Sequence, residues 1–381
     1  MINPIRTKRS RSGFKTVCAL FLFGFILSGG FFSAFGDEPQ TIRRSLRAIG
    51  MGNAFVAVAN DESALYYNPA GLNQVKRYIT EIVSINGTLN QTNIDLIKKG
   101  WEASKNKTDF DANAFIRDLV GAKLHSDIGL GLFSLTGPGW GYSIYASTYL
   151  DMTIHNPTVP YFNAVAFGQF NVHGGFALDF MDEVLDVGLG FKATGRVGAG
   201  KSLHIFEFVD AQQLQDDLIK DAEPVLAITP DIGVIYNYDR FFNYETKFAA
   251  VIRNIGGMDF GNTGKIPMSI DFGVSTETEQ LGFDIIMAAD WLDFTYATTE
   301  RKSTKRNIKL GAEIGLWKRS NNHHALALRV GKNGVYSSWG WSMNVPLFPV
   351  MIDYAAWSEE VGAVAGSKED KRQSLQLSFN F

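Results

Sequence analysis

A single cysteine in 381 residues, Cys18, leaves everything after it without the material for a disulfide framework or a cysteine-ligated metal. Surplus positive charge is also missing. Arg6, Lys8, Arg9, Arg11 and Lys15 stand in the first 36 residues, which hold no acid, so the rest of the chain sets 31 basic groups against 39 acidic ones, a net of −8. That balance argues against a nucleic-acid partner. No uncharged run of transmembrane-helix length follows residue 36: the longest charge-free stretch, Ile128 to Leu150, is broken by Gly137-Pro138-Gly139 and reads as a hairpin. No two of the six histidines stand at ligand spacing on one face, since the adjacent His323 and His324 would point to opposite sides of a strand. No serine, histidine and acid can be singled out as a catalytic order, so the sequence points to no enzyme and no cofactor. With 45% hydrophobic and 20% charged residues, disorder and collagen-like repetition are excluded as well.

What is present begins with an address. Val17 to Phe32 is sixteen residues without a charge, preceded by the basic run and followed by Ser33-Ala34-Phe35-Gly36 and then Asp37 and Glu38. This is the pattern of a secretory signal peptide, 1-36, with cleavage after Gly36, and the run falls short of the ~20 residues that span hydrocarbon.

Past residue 76 the apolar residues recur with a period of two. Leu375, Leu377, Phe379 and Phe381 alternate with Gln376, Ser378 and Asn380; Leu185, Val187, Leu189 and Phe191 alternate with Asp186, Gly188, Gly190 and Lys192. Each such strand has one apolar and one polar face. The pattern predicts strands over 79-90, 126-136, 139-151, 161-181, 184-197, 225-238, 244-254, 266-277, 281-293, 305-318, 323-333, 335-345, 348-358 and 372-381, fourteen in all. Short connections alternate with long ones, two of which, 91-125 and 198-224, read as partly helical. A soluble β-sandwich would also alternate. An even strand count, short turns at one end with long loops at the other, and strands of membrane-crossing length instead favour an all-β fold: a 14-stranded antiparallel transmembrane β-barrel in the outer membrane of a diderm bacterium. The terminal strand, with Phe379 and Phe381 on its apolar row, resembles the signal read by the barrel-assembly machinery, which with outer-membrane lipid is an expected partner.

Before the first strand lie the small residues Gly50, Gly52 and Ala54, the stretch Ala57 to Ala64 around Asp61, and Tyr66-Tyr67-Asn68-Pro69-Ala70-Gly71-Leu72. Locally, Asn68 caps free amides and Pro69 takes the first position of a helical turn. The segment resembles the N-terminal hatch of the FadL-like outer-membrane transporters of long-chain fatty acids and other hydrophobic compounds. That resemblance implies a helical or irregular hatch, 37-77, in the lumen of a barrel, 78-381, with Asn68, Pro69, Ala70 and Gly71 as the hatch motif. It implies hydrophobic small molecules, long-chain fatty acids among them, as partners, and an inward kink of the third strand that opens the wall sideways. In the third strand the only glycines, Gly139 and Gly141, stand at its start, whereas Gly168, Gly174 and Gly175 offer a bend in the neighbouring strand. The related PorV-type barrels imply an alternative, a scaffold or partner for secreted proteins. A continuous apolar lumen would favour transport, and a lumen blocked throughout by ion pairs the scaffold.

Strand parity turns Lys192, Arg253, Lys309 and Arg329 inward as candidate lumen anchors for a carboxylate head group. The same parity offers them Asp186, Asp231, Asp271, Glu313 and Asp353 as ion-pair partners. Gly195 to Ser202 matches the phosphate-loop pattern letter for letter, but the strand before it alternates, which is wrong for a strand covered on both faces.

Overall fold

The computed structural model describes residues 43–106, 120–155, 161–204, 222, 224–241, 244–297, 303–318, 324–345, 348–362 and 365–381. The signal-peptide expectation for 1-36 lies outside the described residues.

Fourteen strands close into one antiparallel barrel. They are β1 (Ile79–Asn90), β2 (Lys123–Gly137), β3 (Trp140–His155), β4 (Tyr161–Phe180), β5 (Leu185–His204), β6 (Val225–Phe241) and β7 (Tyr244–Arg253), then β8 (Ser269–Gln280), β9 (Phe283–Trp291), β10 (Ile308–Lys318), β11 (His324–Asn333), β12 (Tyr336–Asn344), β13 (Val350–Glu360) and β14 (Glu369–Asn380). Each pairs with its neighbours in sequence, and β14 closes on β1, where Thr80 and Phe381 exchange backbone hydrogen bonds of 3.0 and 2.8 Å. Closure removes the sheet edges whose unpaired groups neither hydrocarbon nor a dry interior could satisfy. The wall is uneven: β4 and β5 have 20 residues each, whereas β9 and β12 have 9.

One end carries short turns and the other the longer connections. The two-residue turn Leu281-Gly282 has φ of +55° and +79°, the left-handed pair that matches hairpin twist and that glycine adopts without strain. It replaces the turn expected at 277–280, so β8 runs on to Gln280. At the long-loop end, α3 (Gln91–Asn106) follows β1. The phosphate-loop match and the first residues of the connection expected over 198–224 both fall within β5, a strand through His204.

The outward rows are apolar. Ile85, Ile128, Phe191, Ile228, Leu328 and Leu375 are each half exposed or more so, a surface suited to hydrocarbon. Large aromatics gather at the short-turn end: Tyr78, Trp140, Phe180, Tyr238, Trp317 and Phe381 stand exposed at strand ends, where an interfacial girdle belongs. The inward rows are polar, with Thr194, Asp231, Asp271, Glu313 and Ser378 at most 1% exposed.

The third strand has no kink. β3 pairs with β4 in unbroken register from Trp140↔Phe176 to His155↔Tyr161, and β4 pairs with β5 equally evenly, so Gly168, Gly174 and Gly175 mark no bend. The register shifts instead in β1 between Glu81 and Val83 and in β2 between Gly131 and Phe133, where one extra residue in each strand bulges outward.

Within the barrel lies the N-terminal segment: α1 (Leu46–Gly50), α2 (Ala64–Tyr67) and a 3-10 helix (Pro69–Gln74). Its apolar side chains form the main core of the protein, in which Met51, Ala54, Phe55, Leu65 and Leu72 pack with Ala177 of β4 and Ile286 and Ala288 of β9.

Candidate functional site

The lumen is the candidate site, and the seating of the N-terminal segment shapes it. The inward rows carry glycines where that segment's backbone passes. A Cβ on Gly188 would overlap Pro69 and Ala70, one on Gly233 would overlap the Asn68 side chain, and one on Gly311 or Gly331 would overlap Met51 or Gly52. Asn68 caps the 3-10 helix by accepting from Ala70 N at 3.1 Å, and its Nδ2 donates to Val56 O at 3.0 Å and Val234 O at 3.4 Å. One side chain thus joins the helical turn, the preceding loop and β6. Asp290 of β9 accepts two successive amides of the segment, Phe55 N at 2.5 Å and Val56 N at 2.8 Å.

Charge fastens the other flank. Arg47 donates to both oxygens of Glu313, at 2.7 and 2.9 Å, and to Asp61 at 2.6 Å and Asn60 at 2.7 Å. Arg329 Nε reaches the same Glu313 at 2.5 Å, so one buried carboxylate joins α1 to β10 and β11. Burial opposes the charge of Arg47, but Glu313 and Asp61 more than offset it, and its pKa lies above the ordinary arginine value. Arg43 lies 5.0 Å from the Tyr66 ring centre and 4.8 Å from that of Tyr145, donates to Tyr66 Oη at 2.7 Å, and pairs with Glu81 at 3.4 Å.

Two cavities flank the start of α1. One faces the long-loop end and is lined by Leu46, Ile49, Tyr145, Tyr149, Phe167 and Trp357, with Arg44, His125, Asp127 and Gln169 among its polar groups. In its wall Tyr149 and Phe167 stack at 4.8 Å, and the Arg196 guanidinium lies 3.8 Å from the centre of Phe167 and 4.0 Å from that of Phe260. The other extends toward the short-turn end and is lined by Arg43, Arg47, Asp61, Glu313, Arg329 and Asp353. The lumen is therefore neither apolar throughout nor blocked throughout: the loop-side cavity sets aromatic and aliphatic residues beside Arg44, Asn86, His125 and Asp127, and the other cavity is mainly ionic.

All four inward cations have partners. Lys192 pairs with Asp231 at 2.5 Å and donates to Asn254 at 3.2 Å; Arg253 pairs with Asp271 at 2.5 Å; Arg329 pairs with Glu313 and lies 3.7 Å from Asp353; Lys309 donates to Asn333. Asp186 instead accepts from Asn73, Gln74 and Asn237. None of the four lines the loop-side cavity, whose cation is Arg44, paired with Glu359 at 2.7 Å. Asn68, Pro69, Ala70 and Gly71 lie buried against β4 to β6, while Phe379 and Phe381 point outward, 42% and 60% exposed. Sequence reading missed Arg43, Arg47, Glu81 and Asp290; the arginines Arg43, Arg44 and Arg47 just before an apolar segment were the available signal.

No protein-family model and no curated protein matches the chain. Among solved structures it is similar to the toluene transporter TbuX of Ralstonia pickettii, at 10% identity over 92% of this chain and 98% of that one with a TM-score of 0.46. It is also similar to the Pseudomonas putida toluene transporter TodX, at 11% identity over 92% and 98% with a TM-score of 0.43. A third is a Pseudomonas aeruginosa FadL homologue, at 10% identity over 92% and 99% with a TM-score of 0.43. These structural neighbours are hydrophobic-compound transporters of the FadL family, and their sequence identity to this chain is low.

Proposed function

We propose that the chain is an outer-membrane barrel that lets hydrophobic small molecules pass inward by diffusion, with residues 37–77 as the hatch that closes its lumen. The observation that carries this reading is the loop-side cavity lined by Leu46, Ile49, Tyr145, Tyr149, Phe167 and Trp357 inside a wall that is apolar outside. Its aromatic and aliphatic residues suit a ring or an alkyl chain. Long-chain fatty acids belong to the reading through the apolar part of the site. Arg44 is the cation that a carboxylate head would meet, and binding there competes with Glu359.

The test replaces Asn68-Pro69-Ala70 with Gly-Ser-Gly, which removes the cap, the bond to Val56 and the fit against Gly188 and Gly233. The wall keeps its own backbone ladder, so heat-modifiable gel mobility should be retained. Uptake of labelled oleate or toluene should change at least several-fold. A folded variant with unchanged flux for both would move the assignment to the second reading, a scaffold for secreted proteins. The ionic short-turn half of the lumen favours that alternative.

A further inference from the structure

Helix α3 lies on the outside of the wall. On β2, His125 and Asp127 line the loop-side cavity, and on β3 Tyr145, Ser147 and Tyr149 do, so the alternate residues Leu124 and Met152 point outward. These two face each other across the ladder, and Leu96 of α3 packs with them and Val120 in one apolar cluster. Asn93 fixes the start of the helix: its N donates to Asn90 Oδ1 at 3.1 Å and its Nδ2 to His125 O at 2.7 Å. The helix is thus held against the long-loop end of the apolar band, on the same outward row of β2 as Ile128, which is 49% exposed.

Away from Leu96, α3 exposes Ile97 (60%) and Trp101 (74%), four residues apart and therefore neighbours on one ridge. Lys98 and Lys105, both exposed, fall beside that ridge at helical spacing. In water such a pair of large apolar side chains gains nothing, whereas at a lipid surface both the ridge and the lysines find complements. Tryptophan suits the boundary of headgroup and acyl chain, and lysine stems place their ammonium groups at lipid phosphates.

We infer that α3 is an interfacial helix: Ile97 and Trp101 insert into the lipid leaflet on the long-loop side, and Lys98 and Lys105 bind its anionic headgroups. Continuity with the apolar band identifies the occupant as lipid. The inference rests on the membrane-barrel reading, and its test separates the two. In full-length chain carrying Cys18→Ser, single substitutions Ile97→Cys, Glu102→Cys and Ile128→Cys are labelled with an environment-sensitive fluorophore in vesicles containing phosphatidylglycerol. Quenching by nitroxide-bearing lipid is then compared with quenching by aqueous iodide. Labels at 97 and 128 should be quenched several-fold more by lipid than the label at 102, and less by iodide. If 128 behaves so while 97 matches 102, the helix faces water or a soluble partner and the inference fails alone. If 128 is itself open to iodide, the barrel reading fails with it. Adding Lys98→Gln and Lys105→Gln should return the label at 97 toward iodide; no change would overturn the headgroup contact.

Discussion

The two flanks of the N-terminal segment are held by different physics. Toward β9 to β11 it is fastened by charge and by amides: Glu313 between Arg47 and Arg329, and Asp290 on the Phe55 and Val56 amides. Toward β4 to β6 it is held mainly by shape, with Pro69 and Asn68 against Gly188 and Gly233, by neutral hydrogen bonds from Asn68, and by Asn73 and Gln74 donating to Asp186, with no ion pair among the described residues. Buried charge is costly to break because the partner left behind keeps its desolvation penalty, whereas a shape contact can slide or refit. The ion-paired flank is thus the more firmly fixed and the other is the one that can yield, and Asn68, Pro69, Ala70 and Gly71 sit on the latter.

Glu313→Ala should have the largest effect, because it takes from Arg47 and Arg329 the buried carboxylate they share, leaving Arg47 with Asp61 and Arg329 with Ser342 and the more distant Asp353; truncating one partner of such a network costs up to about 3–5 kcal/mol. The expected readout is protease cleavage within the N-terminal segment while the barrel keeps its heat-modifiable mobility. Resistance equal to the parent would show that charge does not distinguish the flanks. Asp290→Asn comes next: it keeps an acceptor for the two amides but loses the charge, a change of about 1.5–3 kcal/mol in the same assay. On the other flank Gly188→Ala should cost about 1–3 kcal/mol by overpacking against Pro69 and Ala70. Gly168→Ala, with open space around its Cβ, should stay within about 0.5 kcal/mol of the parent. Equal effects at 168 and 188 would remove the shape argument.

Much of the wall was legible because a barrel writes its two environments into alternate residues. The first strand was read to the residue, Ile79–Asn90, and all four candidate cations do point inward. Partner choice was not legible: Lys192 takes Asp231 rather than Asp186, which depends on the stagger between β5 and β6 and not on either sequence alone. Gly188 reads as a member of a polar row. Its actual role, making room for a backbone more than a hundred residues away, appears only when the segment is in place. The irregularity at Ile82 has no neighbouring glycine or proline to announce it, and the one at Leu132 follows Gly131 in a strand that also carries Gly129. Nor could spacing show that Asp290, within an ordinary alternating strand, ends beneath two free amides.

Phe381→Ala should have only a small effect on the assembled molecule and separates wall stability from assembly. Its ring is 60% exposed at the short-turn end and contributes nothing to the lumen. The bonds that close the barrel at this point are backbone ones, Phe381 N to Thr80 O and Thr80 N to Phe381 O, which alanine retains. Loss of the ring therefore removes interfacial burial alone, about 1 kcal/mol or less at a half-exposed site. Assembly in cells is a separate step: if the terminal strand is read by machinery before closure, the ring matters while β14 has no partner. The expected outcome is a reduced yield of folded, surface-protected barrel in cells, together with near-parental resistance to unfolding in the fraction that closes. Full yield in cells would remove the assembly role from Phe381. A large loss of stability in the closed fraction would mean that the wall, like the charged flank of the N-terminal segment, depends on single side chains.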